Sequence, residues 1–171
     1  MKFTMQKPIS CPFQKVFPSQ LEKDDLFFMQ LAYNEAINAW NADEVPVGAV
    51  IARGDELIAS SFNQTRQQTD PSAHAEMIAI TMAAKSVGDW RLNECRLYVT
   101  KEPCPMCSGA TVMARLGEVH YAVEDPKMGG LGGAASLHTL PFSNHKPKVF
   151  RKTMELECKE MLQAFFQMQR K

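Results

Sequence analysis

Two short stretches, His74-Ala75-Glu76 and Pro103-Cys104-Pro105-Met106-Cys107, determine the fold and the chemistry expected of this 171-residue chain. One imidazole and two thiolates make three metal ligands, and three ligands leave the fourth corner of a tetrahedral zinc ion open for water. A closed structural zinc site needs four protein ligands, and the sequence has no second Cys-x-x-Cys pair to complete one. The two stretches therefore predict a zinc site with His74, Cys104 and Cys107 as ligands and an open position.

The acidic residue of the first stretch is predicted to carry protons next to that open position. Glu76 lies two residues from His74, where it can take a proton from water and pass it to a substrate nitrogen. The pattern His-x-Glu followed by Pro-Cys-x-x-Cys is the signature of zinc-dependent nucleobase deaminases. Two other interpretations stay open on spacing alone: a zinc site that only supports folding, and a Glu76 that only interacts with a helix dipole.

The elements predicted around these stretches place the ligands at two helix starts. Ser72 can cap a helix that carries His74 and Glu76 in its first turn and ends near residue 87. A strand over residues 96–100, a helix over 105–115 and a strand over 119–123 predict a parallel crossover. The positive ends of both helices would then point at the metal and favour thiolate over thiol.

The rest of the chain predicts further strands and helices on either side. Ser19-Gln20-Leu21-Glu22 resembles a capping box, which predicts a helix from there to about residue 41. Apolar runs at 47–52 and 57–62, joined by a turn, predict a hairpin. Residues 129–133 (Gly-Gly-Leu-Gly-Gly) are predicted to be the most flexible part of the body of the chain, and 146–152 to form an edge strand.

A final amphipathic helix has one apolar face, made of Met154, Cys158, Met161, Phe165 and Met168. The order of elements predicts an α/β fold, a three-layer α/β/α sandwich with a mixed central sheet. We expect an N-terminal extended arm over residues 1–18, which contain four prolines, and one zinc-dependent domain over residues 19–171.

Composition and charge restrict the possible functions. The formal net charge is zero, so any site for a polyanion must be a local patch rather than a global field. No apolar run is long enough to span a bilayer, and the N-terminus has no apolar centre typical of a secretory signal. Five cysteines, an odd number, favour a reducing compartment, and the cytoplasm is the expected location.

Similarity to a known family extends well beyond the metal ligands and covers roughly residues 21–170. The chain resembles the bacterial tRNA adenosine deaminases, which belong to the cytidine deaminase superfamily. The stretches that carry the resemblance are Glu44-Val45-Pro46-Val47-Gly48-Ala49-Val50, Asn63, Asp70-Pro71-Ser72-Ala73-His74-Ala75-Glu76, residues 98–110, Asp125-Pro126-Lys127, Asn144-His145 and Cys158 with Phe165-Phe166-Gln167-Met168.

The resemblance implies a cytidine deaminase-like fold and a homodimer that binds one zinc ion per subunit. It also implies that the enzyme converts the wobble adenosine of a tRNA anticodon to inosine, with the anticodon stem-loop as partner. Asn63 matches the family residue that hydrogen-bonds the target base, and an Asn amide can pair with an adenine edge. Val47 is expected on the pocket wall, and Asp125 near the sugar of the substrate loop.

Two other functions remain to be distinguished from this one. The first is a related deaminase that acts on a free base such as guanine, or on a nucleoside. The second is a non-catalytic, zinc-stabilised RNA-binding subunit. A basic patch near the C-terminus could contact RNA, but an ordinary solvent-exposed strand and terminus would have the same sequence pattern. The residues of this patch are Lys146, Lys148, Phe150, Arg151, Lys152, Arg170 and Lys171.

Overall fold

A five-stranded mixed sheet forms the middle of the protein in a computed structural model that describes residues 9–169. The strand order is β2-β1-β3-β4-β5. β1 is antiparallel to both of its neighbours, β2 and β3, whereas β3, β4 and β5 run parallel to one another. The strands are β1 (Gly48–Arg53), β2 (Glu56–Phe62), β3 (Cys95–Lys101), β4 (Glu118–Val123) and β5 (Lys148–Arg151).

Helices cover both faces of this sheet. Within residues 9–169 they are α1 (Asp25–Asn41), α2 (Thr65–Gln68), α3 (Ala75–Val87), α4 (Pro105–Met113) and α5 (Glu155–Gln169). The long helices α1 and α5 share one apolar cluster with the sheet, while α3 packs on the opposite face and contacts α4. The predicted three-layer α/β/α sandwich with a mixed sheet is confirmed.

Alternation along the strands divides the core into two layers. In β1, Ala49 and Ile51 pack with the cluster under α3, whereas Val50 and Ala52 pack with the cluster under α1. Successive side chains of a strand point to opposite faces, so a strand that is buried on both faces reads as a continuous apolar run. This is why the hairpin and the parallel crossover could be predicted from short apolar runs.

The first helix starts later than predicted. α1 begins at Asp25, and the Asp24 carboxylate caps it by accepting a hydrogen bond from the Phe27 backbone N–H at 2.9 Å. The Ser19 hydroxyl instead accepts from the backbone N–H of Leu21, a residue that is 98% exposed. The prediction of a capping box at Ser19 was wrong, because no apolar burial draws the chain into a helix before Asp24.

The glycine-rich stretch is fastened to the sheet, although its composition predicts flexibility. Glu102 is buried directly after β3 and accepts hydrogen bonds from the backbone N–H groups of Asp125, Leu131 and Gly133 at 2.8, 3.0 and 2.8 Å. A Cβ at Gly129 would lie 2.1 Å from a Glu102 carboxylate oxygen, so the glycine permits this close approach. The predicted freedom of this loop was wrong, because a distant carboxylate binds its backbone.

The described part of the predicted arm lies along α1. The Asn34 side chain exchanges two hydrogen bonds with the backbone of Val16, and the Trp40 indole N–H donates to the Ile9 carbonyl at 3.0 Å. Residues 9–24 contain no helix or strand. Residues 1–8 of the predicted arm lie outside the described residues.

His120 has a structural role, as its position in an apolar strand suggests. Its ring is buried between Tyr98 and Phe150, with centroid distances of 4.5 and 4.6 Å, and it shares a 2.9 Å contact with Glu118. Phe150 belongs to β5, so this aromatic stack fastens the edge strand. In residues 9–169, no helix combines the length and the apolar character that crossing a membrane requires.

Gly48 gives a test of the contact between the sheet and α1. A Cβ at this position would lie 2.0 Å from the Ala32 carbonyl oxygen and 2.5 Å from the Ala36 nitrogen, both helix backbone atoms. We expect Gly48→Ala to lower the free energy of unfolding by about 3 kcal/mol, measured by chemical denaturation, because α1 must move away.

Gly109→Ala serves as the matched control. Gly109 lies inside α4, and a Cβ there would meet no atom within 4 Å. Alanine is the better helix former, so this variant should be neutral or more stable by up to about 1 kcal/mol. Equal destabilisation by the two substitutions would contradict the backbone contact.

Candidate metal centre and catalytic cleft

The three predicted ligands lie together at the start of two helices. The Sγ atoms of Cys104 and Cys107 lie 3.6 and 3.5 Å from His74 Nδ1. Zinc bonds of about 2.3 Å to sulfur and about 2.0 Å to nitrogen, at a tetrahedral angle, separate S and N by about 3.5 Å. The ligand atoms are therefore spaced for one tetrahedral ion, with Nδ1 as the histidine donor, and the group is compatible with zinc.

The local backbone explains why the side chains converge. His74 is the N-cap of α3 and Cys104 the N-cap of α4, and both have extended backbone angles that turn the side chain away from its own helix. Pro105 occupies the first helical turn, where its missing N–H costs no hydrogen bond. Both helix N-termini thus face the ligands, and their positive ends stabilise negative sulfur.

Ser72 does not cap α3, so that prediction was wrong. Its hydroxyl and backbone N–H both donate to Asp70 Oδ1, at 2.7 and 2.8 Å, and form a tight turn before the helix. The residue at the cap position is His74, which makes no side-chain capping bond. A capping serine would have taken the position that the metal ligand needs.

The pKa values of the two cysteine thiols favour the binding of a cation. The hydrogen bond from Cys107, together with the contact to His74, lowers the pKa of Cys104 to about 4. The pKa of Cys107 is raised, because it shares its proton with Cys104 and is buried. One sulfur is therefore negative at neutral pH, and a divalent cation would replace the remaining proton.

Glu76 lies in the first turn of α3, buried beside the ligands. Burial raises the pKa of its carboxyl group, and Glu76 lines the same cleft as His74 and Cys104. A carboxyl group that is not held firmly in its ionised form can both accept and donate a proton, as a general acid and base must.

A cleft of about 300 Å³ opens beside this cluster. That volume is at the lower end of the range for small-molecule sites. His74, Glu76 and Cys104 form its floor, and the predicted substrate residues Asn63 and Val47 line it as well. The lining also includes residues that the sequence analysis did not single out, namely Val45, Thr65, Lys101, Glu102 and Phe166.

Asn63 and Val47 are held together by the backbone at one side of the cleft. The Asn63 N–H donates to the Val47 carbonyl oxygen at 3.0 Å. The loop after Asn63 is fixed by Glu44, a buried carboxylate that accepts from the Thr65 hydroxyl at 3.1 Å and the Gln67 N–H at 2.8 Å. The single helical turn α2 results from this anchor, and the sequence analysis missed it.

Asp125 lies behind the cleft rather than in its lining. Its Oδ1 accepts from the backbone N–H groups of Lys127 and Met128 at 2.9 and 3.1 Å, and its Oδ2 pairs with the Lys101 ammonium group. Partial burial acts to raise its pKa, but the ion pair and these hydrogen bonds hold the pKa below the ordinary value for an aspartate. Asp125 therefore reaches the cleft through Lys101.

Comparison with known proteins identifies the class of this protein, which is a deaminase. The family model described as MafB19-like deaminase matches residues 23–170. Two tRNA-specific adenosine deaminases are similar over most of their length. That of Bacillus subtilis is 42% identical, and the match covers 86% of this chain and 91% of the relative. That of Agrobacterium fabrum is 41% identical, and the match covers 84% of this chain and 94% of the relative. The chain therefore belongs to the family of tRNA-specific adenosine deaminases.

Solved structures agree with this placement. A structure from a study of A-to-I editing by tRNA:A34 deaminases at the wobble position is 41% identical, with a TM-score of 0.77, and the match covers 79% of this chain and 98% of that one. Guanine deaminases are more distant: that of Bacillus subtilis is 30% identical with a TM-score of 0.56, over 84% of this chain and 94% of that one.

Substitution of two of the three ligand residues tests the metal centre. We expect His74→Ala and Cys107→Ala to lose bound metal, because two remaining ligands hold an ion far more weakly than three. Elemental analysis of folded, purified protein measures this loss. Cys95→Ala is the control: Cys95 is a buried free thiol at the far end of β3 and should leave the metal content unchanged. Metal retained by either ligand variant at the parent level would contradict the assignment.

Proposed function

We propose that the protein converts adenosine to inosine at the wobble position of a tRNA anticodon, using one zinc ion per chain. His74, Cys104 and Cys107 would hold the zinc, and Glu76 would be the catalytic acid and base. The observation that carries the proposal is the buried carboxyl of Glu76 beside three ligand atoms spaced for a tetrahedral ion. A site that only supported folding would have no need for that carboxyl group.

The reaction replaces an amine on the base with an oxygen from water. Zinc, when bound, acts as a Lewis acid that makes water nucleophilic near neutral pH. Glu76 takes a proton from the attacking water and delivers it to the ring nitrogen next to the carbon under attack. It then moves the second water proton to the amine, which leaves as ammonia. Burial raises the pKa of this carboxyl group, which favours its acting first as base and then as acid.

The residues at the side of the cleft would position the base. Asn63 is well placed to hydrogen-bond the edge of the target base, because its side chain lines the cleft beside the proposed metal ligands. Val47 provides an apolar wall against which the base can pack. An anticodon loop is single-stranded, so its base can enter the cleft at a low unstacking cost.

From the resemblance, Asp125 is expected near the sugar of the substrate loop. Both of its carboxylate oxygens already have partners within the chain. We therefore propose that Asp125 acts on substrate binding only through Lys101, whose position it fixes and whose charge it partly neutralises.

We also propose a cytoplasmic homodimer. All five cysteines are free thiols, as a reducing compartment allows. The outer surfaces of α3 and α4 expose apolar side chains that a second subunit could cover, namely Met82, Met106 and Met113. The basic side chains of β5 and its neighbours are exposed and could contact RNA; they are Lys146, Lys148, Lys152 and Arg151, the last of which pairs with Glu124. The predicted patch residues Arg170 and Lys171 lie outside the described residues.

A substrate comparison tests the proposed function. The metal-loaded protein, incubated with an anticodon stem-loop that carries adenosine at the wobble position, should release ammonia and form inosine, detected by mass spectrometry of the digested RNA. Free guanine should give no xanthine above background. A stem-loop with guanosine at the wobble position is the control for specificity. Xanthine from free guanine without inosine in RNA would instead establish the related free-base deaminase.

The Glu76→Gln variant tests the proton carrier. Glutamine preserves the shape of the side chain but cannot transfer protons, so the rate of inosine formation should fall by at least about a hundredfold. Metal content and melting temperature should stay near those of the parent. Glu94→Gln is the matched control, because Glu94 is exposed and directly precedes β3, at the end of the strand away from Cys104 and Cys107. Parent-level activity in the Glu76 variant would disprove the mechanism.

A further inference from the structure

Lys101 brings a positive charge into the cleft of a chain that has no net charge. Among the described residues that line the cleft, it alone carries an ammonium group. Its neighbour Glu102 is buried and accepts three backbone hydrogen bonds, so the Glu102 carboxylate already has its partners within the protein. A negatively charged group of a substrate could therefore form an ion pair with Lys101 in the cleft.

The strand geometry explains how this side chain reaches the cleft. Residues two apart in a strand lie on the same face. Lys101 therefore lies on the face of β3 that carries Leu97 and Val99, which pack in the core under α3. Lys101 is the last residue of β3 and extends this face beyond the packed core. Its side chain is 30% exposed, enough to meet a ligand without losing all of its own hydration.

Asp125 holds the ammonium group in a defined position. The turn after β4 fixes Asp125 Oδ1 through the backbone N–H groups of Lys127 and Met128, which leaves Oδ2 for Lys101. An ammonium group has three N–H donors, and one ion pair leaves donors for a second anion. Lys101 lines the same cleft as His74 and Glu76, so its charge lies where a substrate would bind.

We propose that Lys101 binds a backbone phosphate of the RNA that carries the target base, and thereby selects a base embedded in RNA over a free base. This inference rests on the proposed function, because RNA carries a backbone phosphate beside the target base and a free base carries none. A lysine ammonium is a compact point charge that binds phosphate well. The other cleft walls, formed by Val45, Val47 and Phe166, are apolar and suit the base rather than the backbone.

The Lys101→Met variant tests this contact. Methionine keeps most of the apolar stem and removes the charge. We expect Kd and KM for an anticodon stem-loop to rise about five- to tenfold at low salt, with kcat within about twofold of the parent. The slope of log Kd against log salt concentration should decrease in magnitude by about 0.7, the contribution of one phosphate in a single strand. Lys101→Arg should restore most of the affinity.

Two further variants separate a phosphate contact from a structural role. Lys127→Met removes a nearby exposed lysine and should change the salt slope much less. Asp125→Asn keeps the Oδ1 acceptor of the turn but removes the negative charge opposite Lys101. It should therefore bind RNA more tightly at low salt, the opposite of the effect of Lys101→Met. If Lys101 only braced the turn, both substitutions would weaken binding.

Fluorescence anisotropy of a labelled stem-loop measures binding, and inosine formation is measured in parallel. Parent protein that binds the stem-loop but forms no inosine would count against the proposed function alone. Lys101→Met protein that is folded and metal-loaded, with unchanged Kd and salt slope, would overturn the phosphate contact. A loss of kcat at unchanged Kd would overturn it too, because the charge would then act on the chemistry rather than on binding.

Discussion

The meeting of two helix N-termini at one point is the constraint on which the rest of the structure depends. α3 and α4 begin at His74 and Cys104, and their positive ends stabilise negative sulfur in a partly buried place. The two helices contact one another, and α3 packs on β1, β2 and β3. The sheet thus acts as the template that holds the ligand atoms 3.5 to 3.6 Å apart.

Two buried carboxylates shape the cleft around that point. Glu44 binds the loop after Asn63, and Glu102 binds the turn at Asp125 and the glycine-rich stretch. Glu44 accepts hydrogen bonds from one hydroxyl and one backbone N–H, and Glu102 accepts from three backbone N–H groups; such bonds are what allow a carboxylate to be buried. These hydrogen bonds fix the loops at and beside the cleft, as a site that positions a base requires.

The electrostatics of the protein are local. A chain with zero formal charge has no long-range field to attract RNA, so any recognition of the polynucleotide must occur at short range. Lys101 inside the cleft and the exposed lysines around β5 are the groups that can provide it. The first would contact the nucleotide under reaction, and the others the more distant parts of the RNA.

The sequence by itself predicted the three residues that the structure groups as a possible metal site, the layer order and most strand and helix limits, because these depend on local spacing and alternation. His74, Cys104 and Cys107 could be paired as ligands before any contact was known, and the apolar runs of β1 and β3 show that both faces of the sheet are covered.

Only the tertiary structure decided the features that depend on partners distant in sequence. The turn α2, the fastening of residues 129–133 and the position of Lys101 all depend on Glu44, Glu102 or Asp125, which lie more than twenty residues away from the groups they bind. The start of α1 and the cap of α3 were misplaced for a related reason. A serine near a helix start is compatible with several hydrogen bonds, and packing selects among them.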